Sequence, residues 1–313
     1  MAEETKKRRG CGVGCLVIFL TLAGAFFLIV AAVVFFATTS SGDGLEAWRR
    51  LPHRPSVRRM GEDEMPAMRE IWSSGSGTVK VARIRISGMI MLDNPRMRGA
   101  GDGTADTALR AIRRATMDPD VTGILLEIDS PGGGITASDV LYNALRNFRR
   151  SRDDRVIVAM LGDLAASGGY YVALAANRIV AHPTTVTGSI GVLMRSFNLR
   201  ELADKIGIRD VTIKSGENKD MFNPLRDLTP AQEALMQDVV DSLHARFVRL
   251  VSENRALSPD KTRALADGRI FLAHQAQAEG LIDAIGYRAD AEAEVAQLLD
   301  EVSLRFIRYA AEP

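Results

Sequence analysis

The chain has 313 residues, of which 46% are hydrophobic and 25% are charged, and its formal net charge is +1. These values are typical of a globular protein, and they argue against a nucleic-acid-binding protein, which needs an excess of cations to neutralise phosphates. The two cysteines, Cys11 and Cys15, do not have zinc-site spacing, and the rest of the chain can form no disulfide.

The first feature in chain order is the uncharged apolar run CGVGCLVIFLTLAGAFFLIVAAVVFFA at residues 11–37. As a helix it would extend about 40 Å at ~1.5 Å per residue, more than the ~30 Å core of a bilayer, and it is longer than the apolar part of a signal peptide. A KKRR tract precedes it at residues 6–9, whereas the first cation after it is Arg49. The positive-inside rule predicts a single-pass protein of the cell membrane, with a cytoplasmic tail at residues 1–10 and the remainder extracytoplasmic.

Residues 38–78 have the composition of a flexible tether, because glycine–serine segments flank a section rich in arginine and proline. From residue 79 to residue 313, apolar runs typical of strands alternate with amphipathic segments typical of helices. We predict strands at residues 78–92, 121–128 and 155–161, and a series of strands and turns through residues 178–182, 184–194 and 210–216. We predict helices at residues 104–118, 135–150 and 230–255, and helices that begin at residues 167 and 289.

This alternation predicts βαβ units and a mostly parallel sheet, so the fold class is α/β. The runs GILLEI (123–128) and VIVAML (156–161) lack polar alternation, which indicates strands covered on both faces. Both strands lead into turns of small residues, DSPGGG at residues 129–134 and GDLAASGG at residues 162–169. Functional sites of α/β sheets collect at such carboxyl ends of strands.

The DSPGGG turn has two interpretations. It is either an ordinary β–α turn or a place where glycine lets backbone N–H groups point outward and stabilise an oxyanion. A nucleotide site is disfavoured because neither GxGxxG nor GxxxxGK[ST] occurs there.

Ser167 in the second turn has three interpretations. It could cap the following helix, or it could belong to a small-residue helix packed closely on the sheet. It could also be a nucleophile displayed at a strand-to-helix turn, with the Gly168 amide as an oxyanion donor.

A serine nucleophile needs a base, and the histidines at positions 53, 182, 244 and 274 do not stand beside a positioned acid. A lysine of lowered pKa could serve instead, but no lysine follows Ser167 at the SxxK spacing. The segment IKSGENKD contains two candidates, Lys214 and Lys219. The residues alone favour neither over an ordinary surface cation.

The order of five motifs, IDSPGGG, GDLAASGGYYVALAANRIVA, TTVTGSIGV, IKSGENKD and DGRIFLAHQAQAEGLID, resembles the signal peptide peptidase A family of membrane-anchored serine proteases. The resemblance covers residues 79–286 and is closest to the single-repeat form. It implies a fold similar to the Clp protease subunit and to crotonases. It also assigns roles by position: nucleophile Ser167, general base Lys219, lysine-orienting hydroxyl Ser189, and oxyanion donor Gly133, with the Gly168 amide as its mate.

The resemblance further implies cleavage of remnant signal peptides and other extended hydrophobic peptides, without a metal or an organic cofactor. It implies a ring-like homo-oligomer in which serine and lysine come from adjacent protomers. Three alternatives stay open. They are a related membrane protease with a stomatin-like partner, an inactive homologue that serves as an assembly scaffold, and a crotonase-type acyl-CoA enzyme.

Overall fold

The computed structural model describes residues 68–92 and 104–311. The predicted cytoplasmic tail, the predicted transmembrane helix at residues 11–37 and most of the predicted tether lie outside these residues. Within them, no helix has both the length and the apolar character needed to cross a membrane. The predicted division of the chain into tail, span, tether and protease domain therefore stays a prediction.

The described residues form nine strands, eight α-helices and one 3₁₀ helix at Glu217–Asp220. The strands are β1 (Met68–Ser74), β2 (Val79–Ser87), β3 (Val121–Ser130), β4 (Val156–Ala166), β5 (Arg178–Ala181), β6 (Val186–Gly188), β7 (Ile270–Leu272), β8 (Ala284–Ile285) and β9 (Leu304–Ala311). The helices are α1 (Thr104–Met117), α2 (Ile135–Arg150), α3 (Gly168–Ala173), α4 (Arg200–Lys205), α5 (Pro230–Arg255), α6 (Pro259–Leu265), α7 (Ala273–Ala278) and α8 (Arg288–Leu299).

All nine strands belong to one sheet. Its order is β1-β9-β2-β3-β4-β5-β8, and β6 pairs with both β4 and β7. Every pairing is parallel except β1 with β9 and β6 with β7. The predicted α/β class with a mostly parallel sheet is confirmed.

The central strand β4 is buried on both faces because successive side chains of a strand point to opposite sides of the sheet. Ile157 and Leu161 belong to the core that lies against α1, α2 and α3. Val158 and Met160 belong to a second core that lies against α8. Each such side chain contributes about 1.5–3 kcal/mol on burial, so the run VIVAML fixes β4 in the middle of the sheet.

Helix α5 has the bounds that the sequence predicted. It begins at a capping box, in which Thr229 accepts a hydrogen bond from the backbone N–H of Gln232 and Gln232 bonds back to Thr229. Its buried apolar residues, Phe247, Leu250 and Val251, all lie in the second half of the helix. The first half therefore contributes no buried apolar side chain to the core.

Four predictions of secondary structure were wrong. Part of the predicted tether forms β1, because residues 68–74 pair with β9, a strand that the sequence analysis missed. Only Val186–Gly188 of the predicted strand at residues 184–194 is a strand. The predicted strand at residues 210–216 does not form: Ile213 is 98% exposed, and no neighbouring strand pairs with this segment within the described chain. A β-branched run needs a partner strand to become one.

Candidate active site

The two small-residue turns meet at the carboxyl ends of β3 and β4. Ser130 pairs with Ala165, so the segments that follow run side by side. A Cβ atom placed on Gly132 would lie 2.9 Å from the Cβ of Ser167 and 2.6 Å from the backbone nitrogen of Gly168. Gly132 also has φ of +100°, which disfavours other residues. Glycine is therefore required where the turns touch.

Ser167 has a backbone conformation that is unusual for a residue other than glycine, with φ of 52° and ψ of −119°. Such a conformation costs on the order of 1–3 kcal/mol and persists only where the surrounding structure holds it. Here the Ser167 N–H donates to Gly188 O over 2.8 Å, and Tyr171 N–H donates to Ser167 O over 2.8 Å. The Ser167 side chain makes no capping hydrogen bond, so the helix-cap interpretation is wrong.

The close-packing interpretation also applies to this turn. A Cβ on Gly168 would lie 2.4 Å from Ser138 Oγ, and a Cβ on Gly169 would lie 2.9 Å from Ser130 O. Small residues after Ser167 therefore let α3 begin directly against the β3–α2 turn, with Ser167 at the contact.

The backbone amides of Gly133 and Gly168 lie close together. The position of a Cβ on Gly168 is 3.2 Å from the Gly133 nitrogen. Gly133 is held by a bridge to Ile90, in which Ile90 N–H donates to Gly132 O and Gly134 N–H donates to Ile90 O, both over 2.8 Å. Neither the Gly133 nor the Gly168 N–H has an acceptor in the described part of the chain. Two free donors beside a serine can stabilise an oxyanion.

Ser189 lies next to Ser167 because β4 and β6 pair Ala166 with Gly188, the residues that precede the two serines. Ser189 also has a positive φ, 50°, and its N–H donates to Arg269 O over 2.8 Å. Both serines line a cavity of about 550 Å³, and the α5 residues Gln237 and His244 form part of its wall.

Lys219 is not brought to Ser167 by this chain's own fold. It is an exposed residue of the 3₁₀ helix, and it lines neither of the two cavities that Ser167 lines. Its amine has no hydrogen-bond partner among the described residues. Lys214, by contrast, donates to Asp220 Oδ1 over 2.7 Å and to Glu217 O over 2.9 Å. These contacts hold the Lys214 amine within its own loop, which makes Lys214 the poorer candidate for a base that acts on Ser167.

Two polar features of the site were missed by sequence reasoning. His244 lines the cavity of the two serines, and its Nε2 atom is buried without a hydrogen-bond partner in the described chain. A second cavity beside Ser167, of about 250 Å³, is lined partly by Asp139, Tyr171 and Arg246. These residues lie on three different helices, so no local motif in the sequence links them.

Asp267 lines the larger cavity, and its carboxylate is paired with Arg269. A side-chain hydrogen bond from Arg269 lowers the pKa of Asp267 to about 2. The residues that the structure describes include no group of three or more His, Cys, Asp and Glu able to hold a metal.

A mostly parallel α/β sheet that presents a serine at a strand end, under two free backbone amides, defines a class of hydrolase that forms acyl-enzymes. Residues 149–303 match the model of "Peptidase family S49". "Putative protease slr0021" of Synechocystis sp. is 35% identical over 229 residues, which cover 73% of this chain and 78% of that protein. The chain therefore belongs to peptidase family S49, the serine protease family of signal peptide peptidase A.

Two further comparisons describe the extent of the similarity. "Putative signal peptide peptidase SppA" of Enterococcus faecium is 33% identical over 223 residues, which cover 71% of this chain and 64% of that protein. The match thus spans less than two thirds of the Enterococcus protein. Among solved structures, a point mutant of ClpP1 from Listeria monocytogenes has a TM-score of 0.43 at 15% identity, covering 67% of this chain and 93% of that chain.

Proposed function

We propose that this protein is a serine endopeptidase of the signal peptide peptidase type, with Ser167 as nucleophile and Lys219 of a second copy of the chain as general base. Its substrates are extended apolar peptides, such as remnant signal peptides. The observation that carries the proposal is the strained backbone of Ser167 directly beside the free amides of Gly133 and Gly168.

The reaction follows from these groups. The neutral Lys219 amine takes the proton of Ser167 Oγ as Oγ attacks the scissile carbonyl carbon. The resulting oxyanion accepts hydrogen bonds from the Gly133 and Gly168 N–H groups. When the C–N bond breaks, the Lys219 ammonium returns the proton to the leaving amine, and water then hydrolyses the acyl-enzyme. Ser189 Oγ orients the Lys219 amine.

The second copy is proposed because Lys219 belongs to a segment with many exposed apolar side chains. Val211 is 85% exposed, Leu193 73% and Phe197 70%. Apolar patches of this kind mark protein–protein interfaces. The cavity of Ser167 and Ser189 contains no lysine of its own chain among its lining residues, which leaves room for a lysine from a neighbour. We propose a closed ring in which each protomer donates Lys219 to the next.

We also propose attachment to the cell membrane through residues 11–37, with the protease domain on the extracytoplasmic side. This rests on the length of the apolar run and on the KKRR tract before it.

The test uses a fluorogenic apolar peptide and the variants Ser167→Ala and Lys219→Ala. We expect each variant alone to fall to background. Co-expressed in equal amounts, they should recover about a quarter of wild-type activity, because in a ring with random order each shared site combines an intact serine and an intact lysine in about one case in four. Full turnover by either single variant contradicts the assigned roles. Two inactive singles that do not complement each other contradict the shared site.

A further inference from the structure

The smaller cavity beside Ser167, of about 250 Å³, has walls of two different kinds. One side is apolar and the other carries a carboxylate, a phenol and a guanidinium. The apolar lining residues are Ile135, Val192, Leu243 and Phe247. Besides the hydroxyl groups of Thr136, Ser138 and Ser167, the polar lining residues are Asp139, Tyr171 and Arg246.

The three polar side chains form one hydrogen-bonded group. Asp139 Oδ1 accepts a bond from Tyr171 Oη over 2.6 Å, and bonds from Arg246 Nη2 over 2.5 Å and Nε over 3.2 Å. The other carboxylate oxygen, Asp139 Oδ2, accepts none of these three bonds. The side chain of Asp139 is 35% exposed and that of Arg246 is 42% exposed. Water therefore reaches both charges.

The backbone of Tyr171, which carries one member of this group, lies about one helical turn from the nucleophile. Tyr171 N–H bonds to Ser167 O, which corresponds to a rise of roughly 5–6 Å along α3. The ring of Tyr171 also packs on Phe247, with centroids 4.9 Å apart. A substrate side chain long enough to fill the cavity beside Ser167 would contact both its apolar residues and the charged group.

We propose that Asp139, Tyr171 and Arg246 determine which substrate side chain the cavity accepts, by rejecting long apolar side chains next to the scissile bond. This inference rests on the proposed function. A long apolar side chain would displace water from the carboxylate and the guanidinium without replacing its hydrogen bonds, which is unfavourable. A side chain as short as that of alanine would leave the water in place. Size alone does not exclude the longer chain, since the cavity volume corresponds to roughly eight water molecules at ~30 Å³ each.

The experiment compares kcat/KM for two peptides that differ only in the residue before the scissile bond, leucine or alanine. The main variant is Asp139→Asn with Arg246→Met, which removes both charges and keeps side chains of similar size. Arg246→Lys keeps the charge. Arg249→Met is the matched control, because Arg249 is exposed on the same helix and does not line this cavity. Rates are normalised to the fraction of Ser167 that a fluorophosphonate labels.

We expect the leucine-to-alanine ratio of kcat/KM to rise about tenfold or more in the double variant, the scale on which apolar pockets discriminate. It should stay within about twofold of wild type in Arg246→Lys and Arg249→Met. If the double variant is labelled by the fluorophosphonate and its leucine-to-alanine ratio of kcat/KM is unchanged, the inference is wrong. If its melting temperature is also lowered, the group has a structural role only. If the double variant does not fold, the same leucine-to-alanine ratio is measured for Asp139→Asn alone, which keeps a hydrogen-bond acceptor for Tyr171.

The proposed function fails in a different way. If wild type does not cleave either peptide, or if Ser167→Ala cleaves both equally well, the enzyme assignment itself is wrong. If cleavage depends on Ser167 and only the ratio is unaffected by the double variant, the inference about the cavity alone is wrong.

Discussion

The backbone N–H of Ser167 donates to the carbonyl of Gly188 over 2.8 Å, and this bond continues the ladder that pairs Ala166 with Gly188. It places Ser167 beside Ser189, and both serines have positive φ, 52° and 50°. The two hydroxyl groups are thus positioned by the backbone, since neither side chain makes a hydrogen bond within the described chain. Strain of this kind, on the order of 1–3 kcal/mol per residue, marks functional sites.

Replacing Ser189 by alanine should reduce kcat/KM about 100-fold without a loss of stability, because the proposed role of its hydroxyl is to orient the general base and it makes no hydrogen bond among the described residues. Ser303→Ala, at an exposed position, is the control. Wild-type kinetics in Ser189→Ala would remove Ser189 from the mechanism.

Replacing Gly168 by alanine should destabilise the fold by about 1–3 kcal/mol, because the new Cβ would lie 2.4 Å from Ser138 Oγ. A second change, Ser138→Ala, removes that oxygen and should restore much of the stability in urea unfolding. Activity should stay low in the double variant, since the same Cβ lies 3.2 Å from the Gly133 nitrogen. A stable and fully active double variant would contradict the role of these amides.

The buried pair Lys80–Asp118 should carry a large share of the stability at the amino ends of β2 and β3. Lys80 Nζ lies 3.1 Å from Asp118 Oδ2 and 2.9 Å from Glu70 Oε2. Burial alone would lower the pKa of Lys80, but the hydrogen bonds that Lys80 donates to Glu70 and Asp118 raise it. Burial alone would raise the pKa of Asp118, but Lys80 lowers it. Lys80→Met should cost about 3–5 kcal/mol at pH 7, because it leaves a buried carboxylate unpaired.

The stability lost in Lys80→Met should depend on pH in a defined direction. The contribution of Asp118 is present above its ordinary pKa of 3.8 and is lost as the pH falls through its lower folded value. The contribution of Lys80 is present below 10.5 and is lost as the pH rises through its higher folded value. The difference between wild type and Lys80→Met should therefore shrink below about pH 4. Lys261→Met, at an exposed ion pair with Glu279, should change stability by less than about 1 kcal/mol.

Replacing Ile213 by aspartate should abolish activity through loss of assembly. Ile213 is 98% exposed in the protomer, so the change should leave its unfolding free energy within about 0.5 kcal/mol of wild type. Sedimentation velocity should show smaller particles than wild type. Co-expression of Ile213→Asp with Ser167→Ala should give less activity than co-expression of Lys219→Ala with Ser167→Ala. An assembled and active Ile213→Asp protein would locate the interface elsewhere.

The core strands and the strand-end turns could be predicted from local sequence. The run VIVAML predicted a strand buried on both faces, and helices α2 and α5 have the predicted bounds. Motif order was enough to indicate the family. These features depend on side-chain periodicity, on glycine and on capping residues, all of which act within a few residues of the chain.

Tertiary structure alone decided the rest. The segment LRFIRYAA became β9 only because β1 and β2 lie on either side of it, whereas the more strongly β-branched VTI at residues 211–213 has no such neighbours within the described chain. The group of Asp139, Tyr171 and Arg246 assembles from three helices far apart in sequence. Strand pairing and cavity walls depend on which segments, distant in sequence, come into contact. Local sequence patterns do not specify those long-range contacts.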